Sequence, residues 1–455
     1  MTLLTLDPRT GKRVRSYPLH RPTQIESALV QSERAGARWA AEKITQRIRL
    51  IKAVGAELRR QGDHLGALIT LEMGKPITES KAEVAKCAGC CDYYAHYGRK
   101  FLEPETPPGA PAGASVQFDP LGTVLAIMPW NFPLWQAFRA AIPAVLAGNT
   151  VLLKHASNVT GCALAIESLF TRAGAPRGVF QTLRVGSDAI AGLLADRRVH
   201  GVTLTGSTGA GKKVAAAAGE ALKPCVFELG GSDPYLVFDD ADLDLAAETC
   251  AQARLVNTGQ SCVAAKRFIV QKSVLAEFEE KFVARMRARR QGDPTDPATE
   301  LGPMAREDLR DELHRQVTRS VRAGARLLTG GQLPKGMGYY YPATVLTGVK
   351  PGMPAYDDEL FGPAAAIISV RDEVLALKVA NDSPFGLGSA VFTRSPARAR
   401  RIVNGLQSGT VAVNEPVRSD VALPFGGVKE SGYGRELGAW GARSFVNVKT
   451  VRWSH

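Results

Sequence analysis

Cys262 lies in the stretch Asn257-Thr258-Gly259-Gln260-Ser261-Cys262-Val263-Ala264-Ala265-Lys266, and Glu228 stands 34 residues upstream in Phe227-Glu228-Leu229-Gly230-Gly231. A thiol among short polar residues, with an acid placed after a strand-like apolar run, offers a nucleophile and a base for covalent catalysis. A cysteine taken alone is more often a small core residue, so the pair carries the argument and not the thiol. A third feature is Gly206-Ser207-Thr208-Gly209-Ala210-Gly211-Lys212-Lys213, which follows the apolar run 202–205 and opens an Ala-rich segment. Strand, glycine turn and helix start together form an anion site, because free backbone N–H groups and the helix dipole point at a phosphate. The spelling is one residue short of a nucleotide-hydrolase loop and has Lys213 where a Ser or Thr would hold Mg²⁺. Nor is it GxGxxG, the usual dinucleotide spelling.

These residues need a scaffold, and the pattern of apolar runs supplies one. Runs at 124–128, 151–154, 180–185, 202–205 and 226–229 alternate with helix-length segments, and a second series follows at 267–271, 326–328, 365–370, 389–393 and 410–414. This predicts an α/β protein with two doubly wound parallel sheets. A hairpin is expected at the start, with 2–7 and 13–17 flanking Pro8-Arg9-Thr10-Gly11, then helices to about residue 99, then a Pro/Gly/Ala-rich linker or extended excursion at 103–115.

At 455 residues and 45% hydrophobic content the chain exceeds one ordinary core. No signal-like segment opens it, and its most apolar stretch, 124–138, is broken by Pro129, Asn131, Pro133 and Gln136, so neither export nor a membrane span is expected. Seven scattered cysteines suggest reduced thiols and a cytoplasmic setting. Cys87, Cys90 and Cys91 cluster on a helical segment, 83–97, without a second ligand pair, so no metal site is expected. The charge of +13 comes largely from Arg on helical faces, with no basic-aromatic interleaving to support nucleic-acid binding. It suits anionic cofactors and acidic substrates.

Six motifs then converge. Met128-Pro129-Trp130-Asn131-Phe132-Pro133, Thr205-Gly206-Ser207, Glu228-Leu229-Gly230-Gly231, Gly259-Gln260-Ser261-Cys262, Glu359-Leu360-Phe361-Gly362-Pro363 and Pro424-Phe425-Gly426-Gly427 resemble, in order, the NAD(P)-dependent aldehyde dehydrogenase superfamily. Trp135-Gln136, Lys154-His155-Ala156-Ser157-Asn158, Gly230-Gly231-Ser232-Asp233-Pro234 and Cys262-Val263-Ala264-Ala265-Lys266-Arg267 look most like its succinate-semialdehyde dehydrogenase branch. The resemblance implies a dinucleotide-binding domain from 1–100 and 121–230, and a catalytic domain from 231–430. It adds a small β oligomerisation element from 101–120 and 431–455, in a homodimer or homotetramer.

The same resemblance implies roles. Cys262 attacks the aldehyde, and a free thiol that is roughly 3% ionised at pH 7 needs help from its surroundings. Asn131 and the Cys262 backbone N–H form the oxyanion hole, and Pro133, a favoured first helical residue, holds the Asn131 turn. Hydride loss leaves a thioester, and Glu228 activates the water that hydrolyses it to the free acid. Glu359 and Lys154 bind the two riboses and Phe361 packs on the cofactor, with Met128, Pro129, Trp130, Gly206, Ser207 and Leu229 as further cofactor-binding positions. Ser157 replaces the Glu common in NAD-preferring members, which predicts good NADP use with NAD as the weaker alternative. Arg139 is expected to hold a distal substrate carboxylate, with Ser419 or Arg418 completing the contact and Trp135 and Phe425 as apolar walls. Two departures stand out: Val256 replaces a second substrate-binding Arg, and Ala264 leaves no partner for a disulfide switch. The expected reaction is oxidation of succinate semialdehyde, or a similar ω-carboxy aldehyde, to the carboxylate. The alternative within the family is a broad-specificity enzyme for other aliphatic or semialdehyde substrates.

Overall fold

Residues 124–126 are almost wholly inaccessible, as are 151–153 and 202–204, which is what a parallel sheet covered on both faces requires. The computed structural model describes residues 2–453; the last two residues of the expected 431–455 element lie outside that range. Parallel strands Cys225–Glu228, Gly201–Thr205, Thr123–Met128, Thr150–His155 and Phe180–Thr182 lie side by side in that order, with the short antiparallel Gly432–Tyr433 beyond Glu228. The chain therefore reverses direction across the sheet between Thr123–Met128 and Gly201–Thr205. Ligands of such sheets bind beyond the carboxyl ends of the strands at this crevice.

A second sheet runs Arg326–Thr329, Thr344–Thr347, Ala364–Val370, Arg267–Gln271, Pro234–Val237, Gly388–Phe392 and Thr410–Val413, and is parallel except at Arg326–Thr329. Both sheets accord with the α/β expectation. Pro234–Val237 and Thr344–Thr347 were not anticipated: each is only four residues long, and neither shows alternation because all their residues are buried. The N-terminal hairpin pairs Thr2–Leu6 with Arg13–Pro18. The stretch expected as linker ends in a strand, Ala114–Pro120, which pairs antiparallel with Val446–Arg452 in a separate two-stranded ribbon. No helix among the described residues is long and apolar enough to cross a membrane.

Candidate active site

Cys262 follows a tight turn, Val256–Gly259, in which Asn257 and Thr258 adopt left-handed backbone angles (φ 55° and 56°). Each such residue costs about 1–3 kcal/mol, so the neighbours must over-determine the turn. They do: the Asn257 amide donates to the carbonyls of Asn131 (2.7 Å) and Gln260 (2.9 Å), its backbone N–H donates to Glu79 (2.8 Å), and Arg254 donates to the Gly259 carbonyl (2.6 Å). Gly259 itself sits at φ 71°, and a Cβ there would come within 2.3 Å of the Gly362 carbonyl oxygen. Lys266, wholly buried, donates to the carbonyls of Ser261 (3.0 Å) and Cys262 (2.7 Å), fixing the peptide that carries the thiol.

Asn131 sits on the loop leaving Thr123–Met128, at the crevice. The Gln136 amide donates to Asn131 Oδ1 (3.0 Å), and Asn131 Nδ2 donates to the Gln260 carbonyl (3.0 Å). An amide has two N–H donors, so one remains for a ligand. The Cys262 backbone N–H has no protein acceptor among the described residues. The helix expected to open at Pro133 instead runs Trp135–Ala147 and has no side-chain cap of its own. Its cap comes from a distant residue: Glu83 accepts the N–H groups of Leu134 (2.8 Å) and Trp135 (2.9 Å), and is itself paired with buried Lys75. His155 pins the same loop. Its Nδ1 accepts the Ala156 N–H (2.9 Å), so Nε2 carries the proton and donates to the Pro133 carbonyl (2.8 Å). Burial holds its pKa down at about 4, which keeps the ring neutral.

Four ionisable groups act on the thiol: Arg139, Lys266, Glu228 and Glu359. Arg139 pairs with Glu436, both side chains all but inaccessible, and donates from Nη2 to Thr205 Oγ1 (3.2 Å) while lying 5.0 Å from the Phe425 ring centre. Glu228 is buried with neither carboxyl oxygen hydrogen-bonded, and burial pushes its pKa up to about 8; Arg139 and Arg435 pull it down and Glu436 pushes it further up. Burial likewise pushes the Cys262 thiol up to about 12, against the pull of Arg139 and Lys266.

Cys262 and Gln136 line two cavities at once. One, of about 240 Å³, runs along Pro129, Trp130, Gly206, Ser207, Leu229, Glu359 and Phe361. The other, of about 530 Å³, is walled by Phe132, Trp135 and Phe425 and reaches Arg139 and Ser419.

The sequence model of the Aldehyde dehydrogenase family matches residues 2–451. The chain belongs to the aldehyde dehydrogenase family. It is 47% identical over 449 residues to the succinate semialdehyde dehydrogenase [NAD(P)+] Sad of Escherichia coli K12, covering 98% of this chain and 97% of that protein. It is 45% identical over 454 residues to succinate-semialdehyde dehydrogenase [NADP(+)] 1 of Mycobacterium tuberculosis H37Rv, covering 99% of both. The crystal structure of succinic semialdehyde dehydrogenase from Streptococcus pyogenes in complex with NADP+ superposes with a TM-score of 0.97 at 34% identity over 100% of both chains.

As an aldehyde dehydrogenase the chain must accommodate a dinucleotide, and its residues fit one. The 240 Å³ cavity lies at the crevice predicted by strand order, and Gly230 keeps its floor open: a Cβ there would stand 2.7 Å from the Glu359 carboxylate. Glu359 is held by Lys266 (3.3 Å) and by the Gly231 N–H (3.1 Å), while Trp130 and Phe361 meet edge to face at 5.7 Å. Ser207 caps the helix Thr208–Glu220 by accepting the Ala210 N–H (3.3 Å). Met128 ends its strand, and its carbonyl accepts the Ala156 N–H (2.9 Å). Lys154 has no carboxylate at ion-pair distance among the described residues, and Ser157 beside it is exposed. Lys212 pairs with Glu430 (2.8 Å) at the surface. Arg418 is exposed and 3.9 Å from Glu415. Ser419 is engaged from an unexpected side, by Lys86, whose ammonium donates to its carbonyl (3.0 Å) and Oγ (2.8 Å). Sequence reading passed over Lys86, Glu83, Gln136, His155, Lys266 and Glu436. Of these, only Gln136, His155 and Lys266 fall inside the recognised motifs.

Proposed function

We propose that this aldehyde dehydrogenase oxidises succinate semialdehyde, or a closely similar ω-carboxy aldehyde, to the carboxylate, using NADP in preference to NAD. The observation that carries the proposal is the position of Cys262 at the junction of two cavities, one suited to a dinucleotide and the other to a short polar-ended chain. The named activities of the E. coli, M. tuberculosis and S. pyogenes relatives support the same substrate class.

Attack on the carbonyl carbon starts from a thiol that burial keeps protonated, so its proton must leave as the C–S bond forms. Glu228, with its pKa near 8, is mostly protonated at pH 7 and becomes able to take a proton as the pH rises through about 8. The carbonyl oxygen, now negative, is received by the second Asn131 N–H and the Cys262 backbone N–H, both already fixed in place. A nicotinamide bound beside Cys262 supplies the hydride acceptor. Glu359, Phe361, Trp130, Ser207 and Leu229 would hold the nicotinamide half, and Lys154 and Ser157 the adenosine half. The thioester left on Cys262 requires water, and Glu228 is the base for that step. Its carboxyl faces Gly426, where a Cβ would come within 2.8 Å, and lines neither cavity, so the side chain turns toward the thiol to act. Lys154, a half-buried cation with no carboxylate at ion-pair distance among the described residues, supports binding of a 2′-phosphate.

The exposed Val448 on the ribbon of Ala114–Pro120 and Val446–Arg452, with exposed Trp453 just beyond it, supports assembly as a homodimer or homotetramer, and seven free cysteines support a reducing, cytoplasmic setting. A panel of aldehydes with and without an ω-carboxylate, each run with NAD and NADP, tests the proposal. Succinate semialdehyde with NADP should show the highest kcat/KM, and equal efficiency with butanal would refute the substrate assignment.

A further inference from the structure

The successive carbonyls of residues 259–262 are each held by a side chain. Arg254 donates to the Gly259 oxygen (2.6 Å), Asn131 and Asn257 to that of Gln260 (3.0 and 2.9 Å), and Lys266 to those of Ser261 (3.0 Å) and Cys262 (2.7 Å). Lys266 therefore reaches both peptides that flank the thiol. Its ammonium has three hydrogens and three acceptors, the third being Glu359 Oε1 at 3.3 Å. A neutral amine carries only two hydrogens, so the geometry fits the charged form. Burial draws the Lys266 pKa down, helped by Arg254 and opposed by Glu359, Asp233 and Cys262. The mount is rigid. Lys266 immediately precedes Arg267–Gln271, the strand between Pro234–Val237 and Ala364–Val370 in the second sheet. Its N–H donates to the Asp233 carbonyl (3.1 Å), and its carbonyl accepts the Ala366 N–H (3.0 Å).

The Ser261 carbonyl and the Cys262 N–H are opposite edges of one planar peptide, so a group that holds the oxygen also aims the hydrogen. That oxygen accepts the Ala264 N–H as well (3.1 Å), a neutral bond that orients the same plane; what Lys266 adds is a full positive charge. A cation on a peptide oxygen draws electron density from the nitrogen and makes the N–H a stronger donor, and a buried setting preserves the effect. We infer that Lys266 is a positioning residue for the oxyanion hole: its ammonium, anchored on Glu359, fixes and polarises the Ser261–Cys262 peptide, so that the Cys262 N–H meets the developing oxyanion as a strengthened donor. The inference rests on the reading of Cys262 and Asn131 above and is independent of which aldehyde is oxidised.

Lys266→Met and Lys266→Gln, measured beside the parent and Asn131→Ala, test this. With enzyme in excess over the best aldehyde of the panel above, single-turnover reduction of NADP reports the step that passes through the oxyanion. Alkylation of Cys262 by iodoacetamide, followed by peptide mass spectrometry without cofactor, reports the thiol alone, because displacement of iodide forms no oxyanion. Loss of a whole oxyanion donor costs about 100- to 1,000-fold, so a donor kept but weakened should cost at least about tenfold. Lys266→Met should therefore lose at least about tenfold more in single turnover than in alkylation, with KM for the aldehyde within about threefold of the parent. Lys266→Gln keeps an N–H donor without the charge and should stand within about threefold of Lys266→Met; it carries the test if Lys266→Met does not fold. Equal losses in the two assays would mean that Lys266 acts through the thiol, and a Lys266→Gln enzyme with the parental single-turnover rate would mean that its charge is idle. Either result overturns the inference. A parent that stays active once Cys262 is alkylated, or an Asn131→Ala enzyme with the parental single-turnover rate, would instead overturn the underlying reading of the site.

Discussion

Glu436→Gln removes the counter-charge of Arg139 without changing the shape of the site. The two side chains are 2% and 4% exposed, and Glu436 is the carboxylate at ion-pair distance from Arg139. Breaking one partner of such a buried pair costs about 3–5 kcal/mol, because the remaining charge cannot be solvated. Part of this is recovered here, since Glu228 already favours the charged guanidinium and Arg139 can turn toward it. A destabilisation near the lower end, about 3 kcal/mol, is expected. The same change acts on the base. Glu228 has a pKa raised to about 8, with Glu436 one of the causes, so only about one-tenth of it is ionised at pH 7. Without the Glu436 charge, the Glu228 pKa falls, and the pH limb on which acyl-enzyme hydrolysis rises moves to lower pH. Urea unfolding gives the first quantity, and single-turnover decay of the acyl-enzyme between pH 6 and 9 the second, where those pH limits are set to about two units below and one above the Glu228 value. The double replacement Arg139→Leu with Glu436→Leu should cost less than Glu436→Gln alone, since no charge is left stranded. A Glu436→Gln enzyme as stable as the parent, with its hydrolysis limb unmoved, would refute the reasoning.

Ser157→Glu places a carboxylate three residues from Lys154, where repulsion of a 2′-phosphate is worth about 1–2 kcal/mol even in a watery setting. The ratio of kcat/KM for NAD over NADP should rise at least about tenfold, and an unchanged ratio would count against the Lys154 and Ser157 assignment. Asn131→Ala removes an oxyanion donor and should lower kcat about 100- to 1,000-fold with little change in KM. A loss confined to KM would mean that Asn131 binds the ground state instead.

Much of this was legible because local pattern and local chemistry coincide. The apolar runs at 124–128, 151–154 and 202–205 are continuous since both sheet faces are covered, and the Gly206 turn announces a helix start wherever it stands. The motifs around Asn131, Glu228 and Cys262 are contiguous, and the fold brings Asn131, Leu229, Gly230 and Cys262 to one cavity with Glu228 buried behind them. What escaped sequence reading is pairwise and distant. Arg139 meets Glu436, Lys86 meets Ser419 across 333 positions, and the cap of Trp135–Ala147 is supplied by Glu83. No spacing rule marks such partners, because tertiary packing alone decides which buried charge faces which. Lys86 illustrates the point: in a basic chain it reads as one more solvated helix residue, and only its position against Trp135 and Ser419 distinguishes it.

The central claim is that Cys262 carries the acyl group and Glu228 releases it. Intact-protein and peptide mass spectrometry of Glu228→Gln, mixed with succinate semialdehyde and NADP, tests it directly while absorbance follows reduced cofactor. A burst of about one equivalent per Cys262 is expected, then turnover at least about 100-fold slower than the parent, with a succinyl adduct on the peptide bearing Cys262. Linear turnover at the parental rate, without a burst or an adduct on Cys262, would contradict it.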